Sequence, residues 1–305
     1  MTLLLGRYGR VMVIDGLYVE TWGADDAPVL LYLHGGPGQS FYEFAHHQSA
    51  LLSARLRVVA LDQRGVLRSD PLPAGGTLTL ADLVADCEKV RTGLGIDRWA
   101  VLGQSFGGMI ALLYAVQHPS AVTKVVFENP SWDLGRTCRS LVEAFAAHPT
   151  AAAHPELVAK IKTVLATDPD APVLTHLMME TVTGWGDDRD EIYVPDLRAR
   201  REINELLAAA PFTAEQWGRG NEHLGQLALD PELYAPHTPL LAQLTQPTML
   251  IKGGADPIPS AAEVADFVQA LPAAELRVFP GAGHFVQAEQ PQAYAELVTG
   301  FVLGS

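Results

Sequence analysis

The sequence predicts an α/β protein: a mostly parallel sheet flanked by helices, with a helical segment inserted in the middle. Three observations carry this. Short, uniformly apolar runs alternate with amphipathic stretches in residues 1–130 and again in 241–305. The β rhythm stops between residues 131 and 240, which are rich in Ala, His, Pro and acids. A G-x-S-x-G string, Gly103-Gln104-Ser105-Phe106-Gly107, stands between an apolar run and a helical stretch.

The elements follow in order. Val11 to Ile14 and Leu17 to Thr21 are β-like runs around Asp15-Gly16, a strong hairpin signal. Val29 to Leu33, Leu56 to Leu61, Ala100 to Leu102 and Thr123 to Phe127 are apolar without alternation, as strands covered on both faces of a parallel sheet are. Thr79 to Leu94 carries Leu80, Leu83, Val84, Cys87, Val90 and Leu94 at helical spacing, with Thr79 as N-cap and Gly95 as stop. Ser105 to His118 is a second helix, closed by Pro119. Thr248 to Ile251 and Glu275 to Phe279 resume the strands, each followed by a helix, near 258–271 and 289–303. The division is therefore a core of residues 1–130 and 241–305 and a helical insertion of 131–240.

Composition narrows the function. The 305 residues carry 21 basic and 35 acidic side chains, net −14, which repels phosphate backbones and argues against a nucleic-acid partner. Arg198, Arg200 and Arg201 form the densest basic cluster, best read as a solvated helix face. Trp99 to Thr123 lacks Asp, Glu, Lys and Arg, but its glycines and Pro119 fit a buried strand, turn and helix better than a membrane span. The opening Met-Thr-Leu-Leu-Leu-Gly-Arg is too short an apolar run for a signal peptide, so a soluble, cytoplasmic protein is expected. Cys87 and Cys138 make no C-x-x-C pair, and Cys87 reads as a buried free thiol. No H-E-x-x-H, and no G-x-G-x-x-G after a strand, is present, so neither metal nor dinucleotide cofactor is expected.

The chemistry converges on acyl transfer. A serine in G-x-S-x-G between strand and helix sits on a sharp, strained turn with its oxygen exposed, so Ser105 is the candidate nucleophile. The developing oxyanion needs donors, and the backbone N–H groups of Phe106 and of Gly36, in His34-Gly35-Gly36-Pro37-Gly38, are the candidates. Of ten histidines, His284 follows the last apolar run in a Gly281-Ala282-Gly283-His284 loop and is the candidate base. Asp256 follows the run ending at Ile251 and is the candidate orienting acid; Glu128, just after the preceding core strand, competes for that role, and is otherwise a loop acid at the mouth of the pocket, where it could contact substrate. His46 and His47 are read as adjacent helix residues pointing different ways.

With these residues in place, the chain resembles the α/β-hydrolase superfamily along its whole length. Within it, the chain resembles the prolyl aminopeptidase (proline iminopeptidase) family of serine peptidases. His34-Gly35-Gly36-Pro37-Gly38, Asp62-Gln63-Arg64-Gly65 with Ser69, and Gly103-Gln104-Ser105-Phe106-Gly107-Gly108 carry the match. The resemblance implies a helical cap at residues 131–240 and release of an N-terminal residue, typically proline, from small peptides or amides. It also implies cap glutamates that hold the free amino group, one in a Trp-x-x-Trp-Glu context. That string is absent: Trp185 and Trp217 stand alone, and Glu180, Glu202, Glu205 and Glu222 are candidates without a residue-by-residue match. Leu67 stands where the family has a second glycine, and Phe106 where it often has tryptophan. An esterase, lactonase or thioesterase with the same triad is the alternative, and a non-catalytic binding protein on this fold a further one.

Overall fold

The computed structural model describes residues 9–304. The apolar opening of the chain lies outside the described residues. Eight strands form one sheet: β1 Arg10–Ile14, β2 Leu17–Trp22, β3 Val29–Leu33, β4 Arg57–Leu61, β5 Trp99–Gln104, β6 Val122–Glu128, β7 Thr248–Gly253 and β8 Glu275–Phe279, in the order β1-β2-β4-β3-β5-β6-β7-β8. β1 and β2 form the antiparallel hairpin, with Asp15 and Gly16 at positive φ, and β2 pairs antiparallel with β4; all other pairings are parallel. This is the α/β-hydrolase architecture that the sequence predicts.

The uniform apolarity of the central strands follows from burial on both sheet faces. Leu31, Leu33, Val59, Val101 and Phe127 pack on one face against α2 (Leu80–Gly93) and α3 (Phe106–Gln117). Their neighbours Leu30, Tyr32, Val58, Leu102 and Val126 pack on the other against α1 (Tyr42–Leu52) and α12 (Pro291–Leu303). α2 opens with a capping box between Thr79 and Asp82, and Cys87 is buried and free on its inner face. The expected helix near 289–303 is α12, and a short separate helix, α11 (Val286–Glu289), precedes it; Pro291 can start a helix but cannot sit inside one, so the two do not merge. Among the described residues no helix is long and apolar enough to cross a membrane.

Between β6 and β7 the chain is helical: α4 Leu134–Ala147, α5 Pro155–Leu165, α6 Ala171–Trp185, α7 Asp190–Tyr193, α8 Leu197–Ala208 and α9 Ala214–Leu227, with short 3-10 turns between. α10 (Ala261–Ala270) follows β7. The helical segment lies over the carboxyl ends of the parallel strands, where open α/β sheets place their ligands.

Candidate active site

Ser105 is the single residue between the end of β5 and the start of α3. Its φ of 53° and ψ of −123° lie in a region that costs an L-residue about 1–3 kcal/mol. Three backbone hydrogen bonds hold it there. Its N–H donates to the Glu128 carbonyl (2.9 Å), and its own carbonyl accepts from Gly108 (2.8 Å) and Ser131 (3.0 Å). Gly107 is required by a close approach: a Cβ there would lie 2.1 Å from the Leu33 carbonyl oxygen.

Phe106 opens α3, so its N–H has no partner within the helix. Gly36 has φ +118° and lines the same cavity as Ser105 and Phe106. Its loop is pinned by buried His34. Burial keeps that imidazole's pKa down, and the neutral ring uses both nitrogens: Nδ1 donates to the Gly35 carbonyl (2.9 Å) and Nε2 accepts from the Gln63 N–H (3.1 Å). Gln63 Nε2 returns a bond to the His34 carbonyl (2.9 Å). Asp62 accepts from Ser40 Oγ (2.6 Å) and Arg68 Nε (2.7 Å). The His-Gly-Gly-Pro-Gly and Asp-Gln-Arg-Gly strings are thus one hydrogen-bonded unit. Leu67, at the departed glycine position, keeps a positive φ of 40° and gives its carbonyl to Arg219 of α9 (3.1 Å).

His284 Nδ1 lies 2.7 Å from Asp256 Oδ2, with both side chains buried. Asp256 is itself fixed: Oδ1 accepts from the Ile258 N–H (3.0 Å), and its carbonyl accepts from Lys252 Nζ (2.5 Å). Burial holds the Lys252 ammonium below its usual pKa, and the Asp256 charge opposes this. With Nδ1–H committed to the carboxylate, Nε2 is the nitrogen left to accept a proton. Ser105 and His284 both line a cavity of about 500 Å³ beneath the helical segment.

Two residues that the sequence reading does not single out hold this arrangement together. Asn129 follows β6 with φ 41° and is fully buried. Its Nδ2 donates to the carbonyls of Gly283 (3.0 Å) and His284 (3.1 Å), and its Oδ1 accepts from the Gly253 N–H (2.8 Å). One side chain therefore ties the loop bearing His284 to the strand end leading to Asp256. Asn129→Ala should cost roughly 2–4 kcal/mol, because three buried backbone groups lose their partner, and should lower kcat about 10- to 100-fold through misplacement of the base. Thermal melts and kcat per titrated active site check this. The other residue is Tyr193, whose carbonyl accepts from the His284 N–H. An asparagine after a strand is the only signal for the first; nothing in the sequence marks the second.

The other candidates fall elsewhere. Glu128 is not a loop acid at the pocket mouth. β6 runs one residue further than expected, so Glu128 points with Val126 into the sheet face against α12. There it accepts from Tyr294 Oη (2.8 Å) and the Gln287 N–H (3.2 Å), and burial pushes its pKa up to about 8. Glu180 pairs with Lys160 (2.5 Å) outside the cavity. Glu202 faces Arg198 (3.6 Å) and His46 (3.9 Å), and Glu205 and Glu222 are likewise absent from the lining. Trp185 is buried against Phe145 and His154 rather than facing substrate. Trp217 does line the cavity.

Helix geometry explains these misses. The cavity receives Thr175, Met178, Met179 and Val182 from α6, Arg200, Ile203, Asn204 and Leu207 from α8, and Trp217, Gly220, Asn221 and Leu224 from α9. Each set is spaced i, i+3, i+4, i+7, one helix face. No acid lies on any of the three. Asp190 of α7 is a carboxylate in the lining, bonded by Asn204 Nδ2 (3.3 Å) and beside Arg189 (3.6 Å). Outside the cavity, His46, His47 and Glu202 bring three potential metal-ligating atoms within 4.8 Å where α1 meets α8. The two rings meet edge to face at 4.9 Å, but His46 is half-exposed toward Glu202 while the His47 side chain is buried with Nε2 toward Glu43 (3.3 Å).

A strained serine between a parallel strand and a helix, with a buried Asp–His pair over the same strand ends, defines a serine hydrolase of α/β fold. The chain belongs to the α/β-hydrolase family, whose model, described as alpha/beta hydrolase fold, matches residues 28–291. It is 29% identical to a proline iminopeptidase of Xylella fastidiosa (strain Temecula1), over 95% of this chain and 94% of that one. A proline iminopeptidase of Neisseria gonorrhoeae is 40% identical over 122 residues, a match covering 40% of this chain and only 39% of that relative. The solved structure of a proline iminopeptidase-related protein from Thermus thermophilus superposes with a TM-score of 0.71 at 24% identity, covering 97% of both chains.

Proposed function

We propose that the protein hydrolyses small esters or amides through an acyl-enzyme, and that it prefers substrates whose acyl part is apolar and uncharged. Ser105 Oγ attacks the carbonyl carbon while His284 Nε2 takes its proton. Asp256 holds Nδ1–H and stabilises the imidazolium. The N–H groups of Phe106 and Gly36 receive the oxyanion. His284 then gives the proton to the leaving group, and a water repeats the cycle on the acyl-Ser105 ester.

One observation carries the preference: the α6, α8 and α9 faces that line the cavity hold Met178, Val182, Ile203 and Leu224 but no carboxylate. A free ammonium would meet no anion on these three faces to offset its desolvation. A second reading, prolyl aminopeptidase-like release of an N-terminal residue, is favoured by the full-length likeness to the Xylella fastidiosa enzyme and by Asp190 in the lining.

Proline naphthylamide, its N-acetyl form and p-nitrophenyl butyrate, compared in one buffer, separate the two. The expected result is rapid butyrate turnover and an acetylation effect under about threefold, since no charge-assisted bond is lost. An aminopeptidase would instead lose about 2–5 kcal/mol on acetylation, roughly 30-fold to several thousand-fold in kcat/KM. A loss of that size would return the assignment to the aminopeptidase reading.

A further inference from the structure

The catalytic loop is held from both sides. Asn129 binds the carbonyls of Gly283 and His284 from the sheet, and Gln104 Nε2 adds a longer bond to the His284 carbonyl (3.4 Å). The opposite side belongs to the helical segment. The His284 N–H donates to the Tyr193 carbonyl at 2.7 Å. That carbonyl is free because α7 ends at Tyr193: Val194, at φ −133° and ψ 82°, has left the helical region that the following proline disfavours, and Pro195 stops the helix. The Tyr193 ring also packs on the imidazole, with centroids 5.5 Å apart and planes at 64°. The fit leaves no slack, since a Cβ on Gly283 would lie 2.4 Å from both Tyr193 O and Pro195 Cδ. Tyr193 lines the cavity as well, between Asp190 and Val194.

We propose that Tyr193 is a positioning residue for the catalytic base, so that the helical segment completes the catalytic machinery as well as enclosing the substrate. Without the ring, the imidazole loses that packing contact and is freer to tilt about its bond to Asp256. Alignment losses of about 1 Å cost on the order of 100-fold in rate. The docking of α9 on the other half of the site fits the same picture. Gly220 and Gly38 meet backbone to backbone, where a Cβ on either would lie 2.3 Å from the other's carbonyl oxygen. Arg219 and His223 donate to carbonyls of the Asp-Gln-Arg-Gly region, at Leu67 (3.1 Å), Ser69 (3.1 Å) and Arg64 (2.8 Å).

The proposal rests on His284 as base, and its test keeps the two apart. Tyr193→Phe, Tyr193→Leu and His284→Ala are assayed with p-nitrophenyl acetate, whose acyl group is too small to fill the cavity. Rates of wild type and the Tyr193 variants are normalised to active sites titrated with a fluorophosphonate, and that of His284→Ala, which lacks the base this reaction needs, to folded protein read by circular dichroism. Tyr193→Phe keeps the ring and should stay within about threefold of wild type. Tyr193→Leu keeps apolar bulk without the ring and should lose about 10- to 100-fold in kcat with KM within about threefold. A Tyr193→Leu kcat per site within twofold of wild type, or a loss confined to KM, would overturn the positioning role while leaving His284 intact. Should His284→Ala turn over acetate at the wild-type rate, the base assignment itself would fall, and the role of Tyr193 with it.

Discussion

Ser105→Ala is expected to lower kcat by about 10⁴- to 10⁶-fold, with the fold unchanged. The backbone of Ser105 sits at a strained elbow, and the residue lines the cavity with Phe106 and Gly36, the proposed backbone donors. Removing the hydroxyl takes away the covalent route, and the His284–Asp256 pair is left without a proton to accept. The elbow does not depend on that oxygen. It is held by backbone bonds from Ser105 to Glu128, Gly108 and Ser131, so the melting temperature should stay close to wild type. A fluorophosphonate should add one adduct to the wild-type chain and none to the variant at the same rate, as read by intact mass. Full-rate labelling of Ser105→Ala would place the nucleophile elsewhere.

The parts of this molecule legible in the sequence are those in which one residue pattern has one structural solution. Leu30 to Leu33 and Val58 to Leu61 can be apolar at every position only if both sheet faces are covered, and they are. Ser105 was legible because its glycine neighbours are forced: a Cβ on Gly103 would sit 2.3 Å from the Gly107 carbonyl oxygen. The helical segment was less legible because α6 carries two stripes. Leu174, Leu177, Thr181 and Trp185 pack inward, while Thr175, Met178, Met179 and Val182 face the cavity. Both have helical spacing, and only tertiary packing decides which one faces Ser105. Glu180, between the stripes, then looks available when it is tied to Lys160 at the surface. Tyr193 had no signal at all: its carbonyl is freed by the proline two residues later, and its ring meets His284 only in the packed structure.

Asp256→Asn and Glu128→Gln should part by roughly four decades in kcat. Asn at 256 can offer an amide N–H toward Nδ1 and so favours the wrong imidazole tautomer, a loss of about 10⁴. Glu128 touches no reacting atom; it supports the loop through the Gln287 N–H and Tyr294 Oη. With its pKa raised by burial to about 8, it is mostly a neutral acid at pH 7, and glutamine reproduces that hydrogen-bonding shape without a charge. Glu128→Gln should therefore stay within about fivefold of wild type, far from the loss caused by removing the orienting acid. It should also change the pH dependence of stability in a fixed direction. A carboxyl whose folded pKa lies above its unfolded value stabilises fully below the unfolded value, near 4.5, and loses that contribution as pH rises through about 8. Glu43, bonded to Gln287 (2.9 Å) and also raised by burial to about 8, keeps its own share of that slope in the variant. Melting temperatures from pH 5 to 9 should accordingly fall less steeply for Glu128→Gln than for wild type. If Glu128→Gln were the crippled variant and Asp256→Asn the active one, the orienting acid would belong to β6.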